Sequence, residues 1–202
     1  MFVQVIRGQV ADAEQVRAAL ERWMRDLAPS AVGWLGSTAG VTDDGRFVAL
    51  ARFESGDAAR RNSDRPEQDA WWSEVSKAFT GDVVFEDSED VLVDAVGDFD
   101  AAGFVQVITG RTTDPRRARE LMHADSEEWR AFRPDVLGSV DVLQDDGRFT
   151  MAVYFTSEQE AREGERKEPP AELRAQMEEL NRLAAGEMEF LDLKNPWLYS
   201  PR

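Results

Sequence analysis

FVQVIRG at residues 2–8 and FVQVITG at residues 104–110 are one phrase written twice with a single change. Successive side chains of a strand point to opposite faces, so Phe2, Gln4 and Ile6 share one face while Val3 and Val5 share the other. A strand with one wet face alternates apolar and polar residues, whereas this one carries apolar residues on both faces and predicts burial on both. Moving outward at the same offset of 102 residues, Asp12 meets Asp114, Leu35-Gly36-Ser37 meets Leu137-Gly138-Ser139, and DDGRF at 43–47 meets DDGRF at 145–149. Phe53 meets Phe155 and Arg60 meets Arg162; then the spacing slips by three, and GDVVFED at 81–87 pairs with GEMEFLD at 186–192. The chain is a tandem duplication.

Each copy reads as strand, helix, two strands, helix, strand. Asp12 with Gln15 three residues on is a helix-start signature, and Val16, Leu20, Trp23, Met24 and Leu27 follow at helical spacing. Asp43-Asp44-Gly45 is hairpin chemistry between a strand near 32–42 and another at 46–53. Residues 57–79 read as helix interrupted near Pro66, and 82–87 as the last strand. In the second copy Asp114-Pro115 opens a helix whose inner face carries Ala118, Leu121, Met122, Trp129 and Phe132. The order βαββαβ places two helices on one side of a four-stranded antiparallel sheet, an α+β ferredoxin-like repeat. Because the other sheet face is also apolar, the two repeats are expected to pack sheet to sheet as a fused α/β-barrel. That barrel would be complete within the chain, making the protein a monomer or a weak homo-oligomer. Residues 1–97 form the first repeat, 98–103 a small-residue linker, and 104–202 the second repeat with NPWLYSPR as a packed tail.

The formal net charge is −16, from 40 acidic and 24 basic side chains, which disfavours nucleic acid and anionic lipid as partners. Cysteine is absent, so there are neither thiolate ligands nor cysteine nucleophiles. The start MFVQVIRGQV has no basic region followed by an apolar core, no stretch reaches the length of a membrane span, and a cytoplasmic location is expected. A single histidine, His123, argues against an ordinary zinc or non-haem iron site.

FVQVIRG, the segment VGWLGSTAGVTDDGRFVALARFESGDAARR and the later DAWW together resemble the antibiotic biosynthesis monooxygenase family of the dimeric α/β-barrel superfamily. The resemblance covers essentially the whole chain as two tandem copies, the first closer to the pattern. It implies a cleft between sheet and helices of one copy, lined from strand one and helix two. Members include cofactor-independent oxygenases of polycyclic aromatics and haem-degrading enzymes. The haem-degrading members' histidine falls on Trp72, and an indole cannot ligate iron, so neither haem nor another cofactor is expected.

Four residues are candidates for substrate binding. Gln4 is a polar interruption of an apolar face, suited to orienting a ligand oxygen or to satisfying a neighbour, as is Gln106. Asn62, Trp71 and Trp72 lie on helix two, the region from which the resemblance draws the family's aromatic and amide pocket residues, where an amide could align an oxygen while an aromatic ring stacks. Trp71 also fits a helix stripe with Val75 and Phe79, which leaves Trp72 as the better pocket residue of the pair. The corresponding EGERKEPPAELRAQM of the second copy has neither aromatic nor Asn, so a single site in the first copy is expected. Asp125, on an apolar stripe between Met122 and Trp129, is the candidate for a base; a capped or Arg-paired carboxylate is the preferred alternative. The functional expectation is a cofactor-independent monooxygenase acting on a planar aromatic or polyketide-like molecule; the alternative is a non-catalytic module binding a hydrophobic or aromatic small molecule.

Overall fold

The computed structural model of the 202-residue chain describes residues 1–123 and 127–201, and of His123 the backbone alone. The first repeat runs β1 (Phe2–Val10), α1 (Ala13–Asp26), β2 (Trp34–Val41), β3 (Arg46–Phe53), α2 (Gly56–Ser63), α3 (Pro66–Val75), β4 (Phe79–Ser88) and β5 (Val91–Ala95). The second runs β6 (Phe104–Arg111), α4 (Pro115–His123), α5 (Glu127–Phe132), β7 (Val136–Leu143), β8 (Arg148–Phe155), α6 (Glu158–Glu165), α7 (Ala171–Leu183), β9 (Glu189–Leu193) and β10 (Trp197–Tyr199). Local chemistry sets the helix ends. The Asp12 carboxylate accepts the Gln15 backbone N–H at 3.1 Å, and Ser55 and Ser157 cap α2 and α6 in the same manner at 3.2 Å. Pro66 lacks an N–H and holds Arg65 extended, which separates α2 from α3.

The strands form two antiparallel five-stranded sheets, ordered β10-β2-β3-β1-β4 and β5-β7-β8-β6-β9. Four strands per sheet were expected, and the fifth is the finding. NPWLYSPR, expected as a packed tail, packs as a strand and supplies β10, with Trp197 opposite Ala39 and Tyr199 opposite Ser37. The stretch closing the first repeat supplies β5 beside β7. The compact units accordingly divide at other points than the sequence repeats: Met1–Val91 with Asn195–Arg202, and Leu92–Lys194.

The repeated Leu-Gly-Ser explains how the added strands dock. Gly36 and Gly138 sit at register shifts with φ of 129° and 144°, a region that L side chains rarely enter. A Cβ on Gly138 would lie 2.1 Å from the Asp94 carbonyl oxygen on β5, and one on Gly36 would lie 2.8 Å from that of Tyr199 on β10. Both positions need glycine for backbone angle and for close approach. On the face away from the helices, Val3, Val5, Val48 and Leu50 in the first unit and Val105, Val107, Val140 and Tyr154 in the second are fully buried, as the two-faced apolar pattern requires. Among the described residues, no helix is long and apolar enough to cross a membrane.

Candidate functional site

In the first unit the helix-facing side of the sheet and α1 to α3 enclose a cleft of about 100 Å³. Gln4 from β1, Asn62 from α2, and Trp71 and Trp72 from α3 all line it, as do Trp23 from α1 and Trp34 from β2. The four residues singled out from sequence are thus brought together. Asn62 is buried, and its Oδ1 accepts a hydrogen bond from Arg65 Nη2 at 2.8 Å. Arg65 also reaches Ser30 Oγ at 2.5 Å and the Leu27 carbonyl at 3.4 Å, so the Asn62 carbonyl end is held by a guanidinium that is itself fixed. Gln4 Nε2 donates to Asp87 at 2.9 Å across β1 and β4, leaving its carbonyl end without a partner among the described residues. Gln106 repeats that bond to Asp192 at 2.9 Å but does not line a cavity among those described, so the amide–carboxylate pair is structural in both repeats and faces a cleft in the first.

The two α3 tryptophans differ in how they are held. Trp71 donates its indole N–H to the Ala19 carbonyl at 2.9 Å and tilts against Trp23 at 6.5 Å. Trp72 is held by ring contacts, edge-on to Phe85 at 5.1 Å and tilted on Phe79 at 6.0 Å. Trp23, edge-on to Trp34 at 5.1 Å, is fixed by a bond to Gln68 at 2.7 Å, and Trp34 by one to Ser37 at 3.0 Å. Trp23 reads from sequence as helix stripe and Trp34 is not singled out; their place in the wall depends on how helix and sheet meet. Trp34 also borders a wider, open groove of about 710 Å³ beside Met24 and Pro29.

The second unit also holds a cavity, of about 180 Å³, lined by Ile108, Met122, Met151, Leu180, Met188 and Asp141. The corner that Asn62 occupies in the first unit is closed here. Gly164 takes that position, and a Cβ there would meet Arg133 Nε at 2.3 Å. Arg133 fills the space, pairing with buried Asp135 at 2.7 Å and lying over the Phe155 ring at 5.4 Å. The free volume of this unit lies instead among Met122 of α4, Met151 of β8 and Leu180 of α7.

Asp141 stands at the position of Ala39 in the first repeat. Its Oδ2 accepts from Ser139 Oγ at 3.1 Å, while Oδ1 is shielded from solvent and has no hydrogen-bond partner among the described residues. Burial pushes its carboxyl up to about 7; the Ser139 bond opposes this and the nearby charge of Asp94 adds to it. Sequence reasoning did not single out Asp141. The available signal was its place between Val140 and Val142, which puts it on the helix-facing side. Asp125 lies outside the described residues.

No protein-family model matches the sequence, and no curated protein matches it. Solved structures do match along the whole chain. The "putative monooxygenase" of Lactobacillus acidophilus NCFM has a TM-score of 0.70 at 16% identity, with 98% of each chain covered. That of Fusobacterium nucleatum has a TM-score of 0.73 at 10% identity, covering 98% of this chain and 94% of the other. An "anthrone oxidase-like protein" has a TM-score of 0.66 at 14% identity, covering 99% and 91%. At these identities the likeness is one of fold, and by fold this chain is an α+β protein of tandem ferredoxin-like repeats, built as those monooxygenase-named proteins are.

Proposed function

We propose that the chain is a cofactor-independent oxygenase whose substrate is a planar aromatic or polyketide-like molecule held in the cleft of the first unit. The observation that carries this reading is the convergence of Gln4, Asn62, Trp71 and Trp72 from three elements onto one aromatic-walled cleft. The names of the full-length structural neighbours, two given as "putative monooxygenase" and one as "anthrone oxidase-like protein", support it by analogy of fold. In such a reaction the substrate supplies its own electrons. An activated methylene loses a proton, the carbanion reduces dioxygen, and CH₂ plus O₂ becomes C=O plus water. The protein contributes position and a dry environment. Asn62, fixed through Arg65, would align a substrate oxygen, the Gln4 carbonyl would accept a hydrogen bond from a substrate hydroxyl, and Trp72 would stack on the ring.

The free volume of about 100 Å³ is smaller than the roughly 150 Å³ that holds one benzene ring, so a planar substrate enters as the walls part. Trp72, held by ring contacts, is the wall suited to moving. An oxygen electrode with anthrone as probe tests the reading: uptake of one O₂ per anthrone, faster than the protein-free rate and slowed in Asn62→Ala, is expected. Binding of anthrone without accelerated uptake would make this a binding module instead, and absence of both would end the proposal.

A further inference from the structure

We propose that the cavity of the second unit binds a small arylalkylammonium ion, a single aromatic ring on a short chain ending in a primary amine, with Asp141 as its anchor. The cavity's size of about 180 Å³ suits one ring with a short substituent, since about 150 Å³ accommodates benzene. Its wall suits a ring as well. Met122, Met151 and Met188 present flexible, polarizable side chains that favour sulfur–aromatic contact, with Phe149 and Leu180 completing an apolar surface.

The polar end of the ligand is dictated by Asp141. One of its oxygens takes the Ser139 hydroxyl and the other takes nothing among the described residues. The broad χ2 torsion of aspartate lets either oxygen turn toward a ligand. A buried carboxylate left with an open acceptor gains from any donor, yet the surrounding charge distinguishes between donors. Asp94 adds a second negative charge, and among the described residues no cation is paired with Asp141 itself. Arg119 also lines the cavity but has a partner of its own, and Arg130 lies 3.9 Å from Asp94. An ammonium supplies the missing charge, a neutral ring gains burial alone, and an anionic ring is repelled.

The site shares no lining residue with the first-unit cleft, and its test reads binding rather than oxygen uptake. Calorimetric titration of the whole chain at physiological salt would compare 2-phenylethylamine, 2-phenylethanol, ethylbenzene and 3-phenylpropionate. The expected result is one amine per chain, bound more tightly than the alcohol or ethylbenzene, with no binding of the acid. In Asp141→Asn the amine should weaken about tenfold or more, the scale of a charge-assisted hydrogen bond, while ethylbenzene binds as before and reports an intact cavity. The wild-type protein gives a second reading that needs no variant. With methyl-labelled methionine, the amine should shift the Met122, Met151 and Met188 signals and leave Met24 and Met177 in place. Amine affinity unchanged in Asp141→Asn, an alcohol as tight as the amine, or methionine shifts confined to the other positions would each overturn the proposal.

Discussion

At Asp141 the second repeat places a carboxylate where the first has Ala39, and its isolation has a thermodynamic consequence. Between about pH 4 and pH 7 the unfolded chain has released this proton and the folded chain retains it. The folded state then binds more protons, so this residue's contribution to stability falls as pH rises through that window. Below about pH 4 both states are protonated and the cost vanishes; above about pH 7 it is complete, on the order of 4 kcal/mol. Asp141→Asn should therefore be more stable than wild type near pH 8 and close to it near pH 4.5, measured by urea unfolding. An equal difference at the two pH values would mean that the carboxyl does not titrate as its burial implies. In the first unit the corresponding test is Trp72→Ala, which removes a stacking wall and should weaken a planar fluorescent probe by about tenfold. Gln106→Ala should leave that affinity unchanged while lowering stability through loss of the bond to Asp192. Equal losses of affinity from both substitutions would contradict the assignment of the probe to the first-unit cleft.

Among the elements, β5 and β10 depend on the repeated glycine more than on their own sequence. Three or five residues form few ladder bonds, and those form only where the neighbouring backbone comes close. Gly138→Ala drives a Cβ into the Asp94 carbonyl and strains a backbone at φ 144°, so a loss of roughly 2–4 kcal/mol is expected in chemical denaturation. Gly81→Ala is the control, because its φ is 83° but nothing lies within 4 Å of the added carbon. It should cost about 1 kcal/mol, and a loss as large as that of Gly138→Ala would show backbone angle, rather than close approach, to be decisive. At this scale the sequence was informative. The Asp12–Gln15 cap, the break at Pro66 and the helical stripe of α1 all stand where spacing placed them. The Leu-Gly-Ser repeat was visible too, but its purpose was not, since the atoms that approach it are far away in the chain.

Over the whole molecule, each sheet is completed by a strand that the sequence assigns to the end of the other repeat. Ending the chain at Lys194 removes β10 and buried Trp197 from the first unit and bares the edge of β2. Amide exchange should then accelerate at 37–39 while the amides of β7 at 140–142 keep their protection; uniform acceleration in both sheets would contradict this allocation of strands. The sequence by itself determined the duplication, the α+β class and the order of elements within each repeat. These follow from period-two and helical spacing, caps and turns, all local physics written in neighbouring residues. It also marked Gln4, because a polar residue on an apolar face stands out from its surroundings, while Asn62, Trp71 and Trp72 were marked through the family resemblance that points to helix two. The tertiary structure alone decided the allocation of β5 and β10, the closing of the second unit's corner by Arg133 at Gly164, and the burial of Asp141 beside a cavity. Each of these depends on which distant atoms fill or vacate a space, and packing at that distance leaves no periodic trace in the chain.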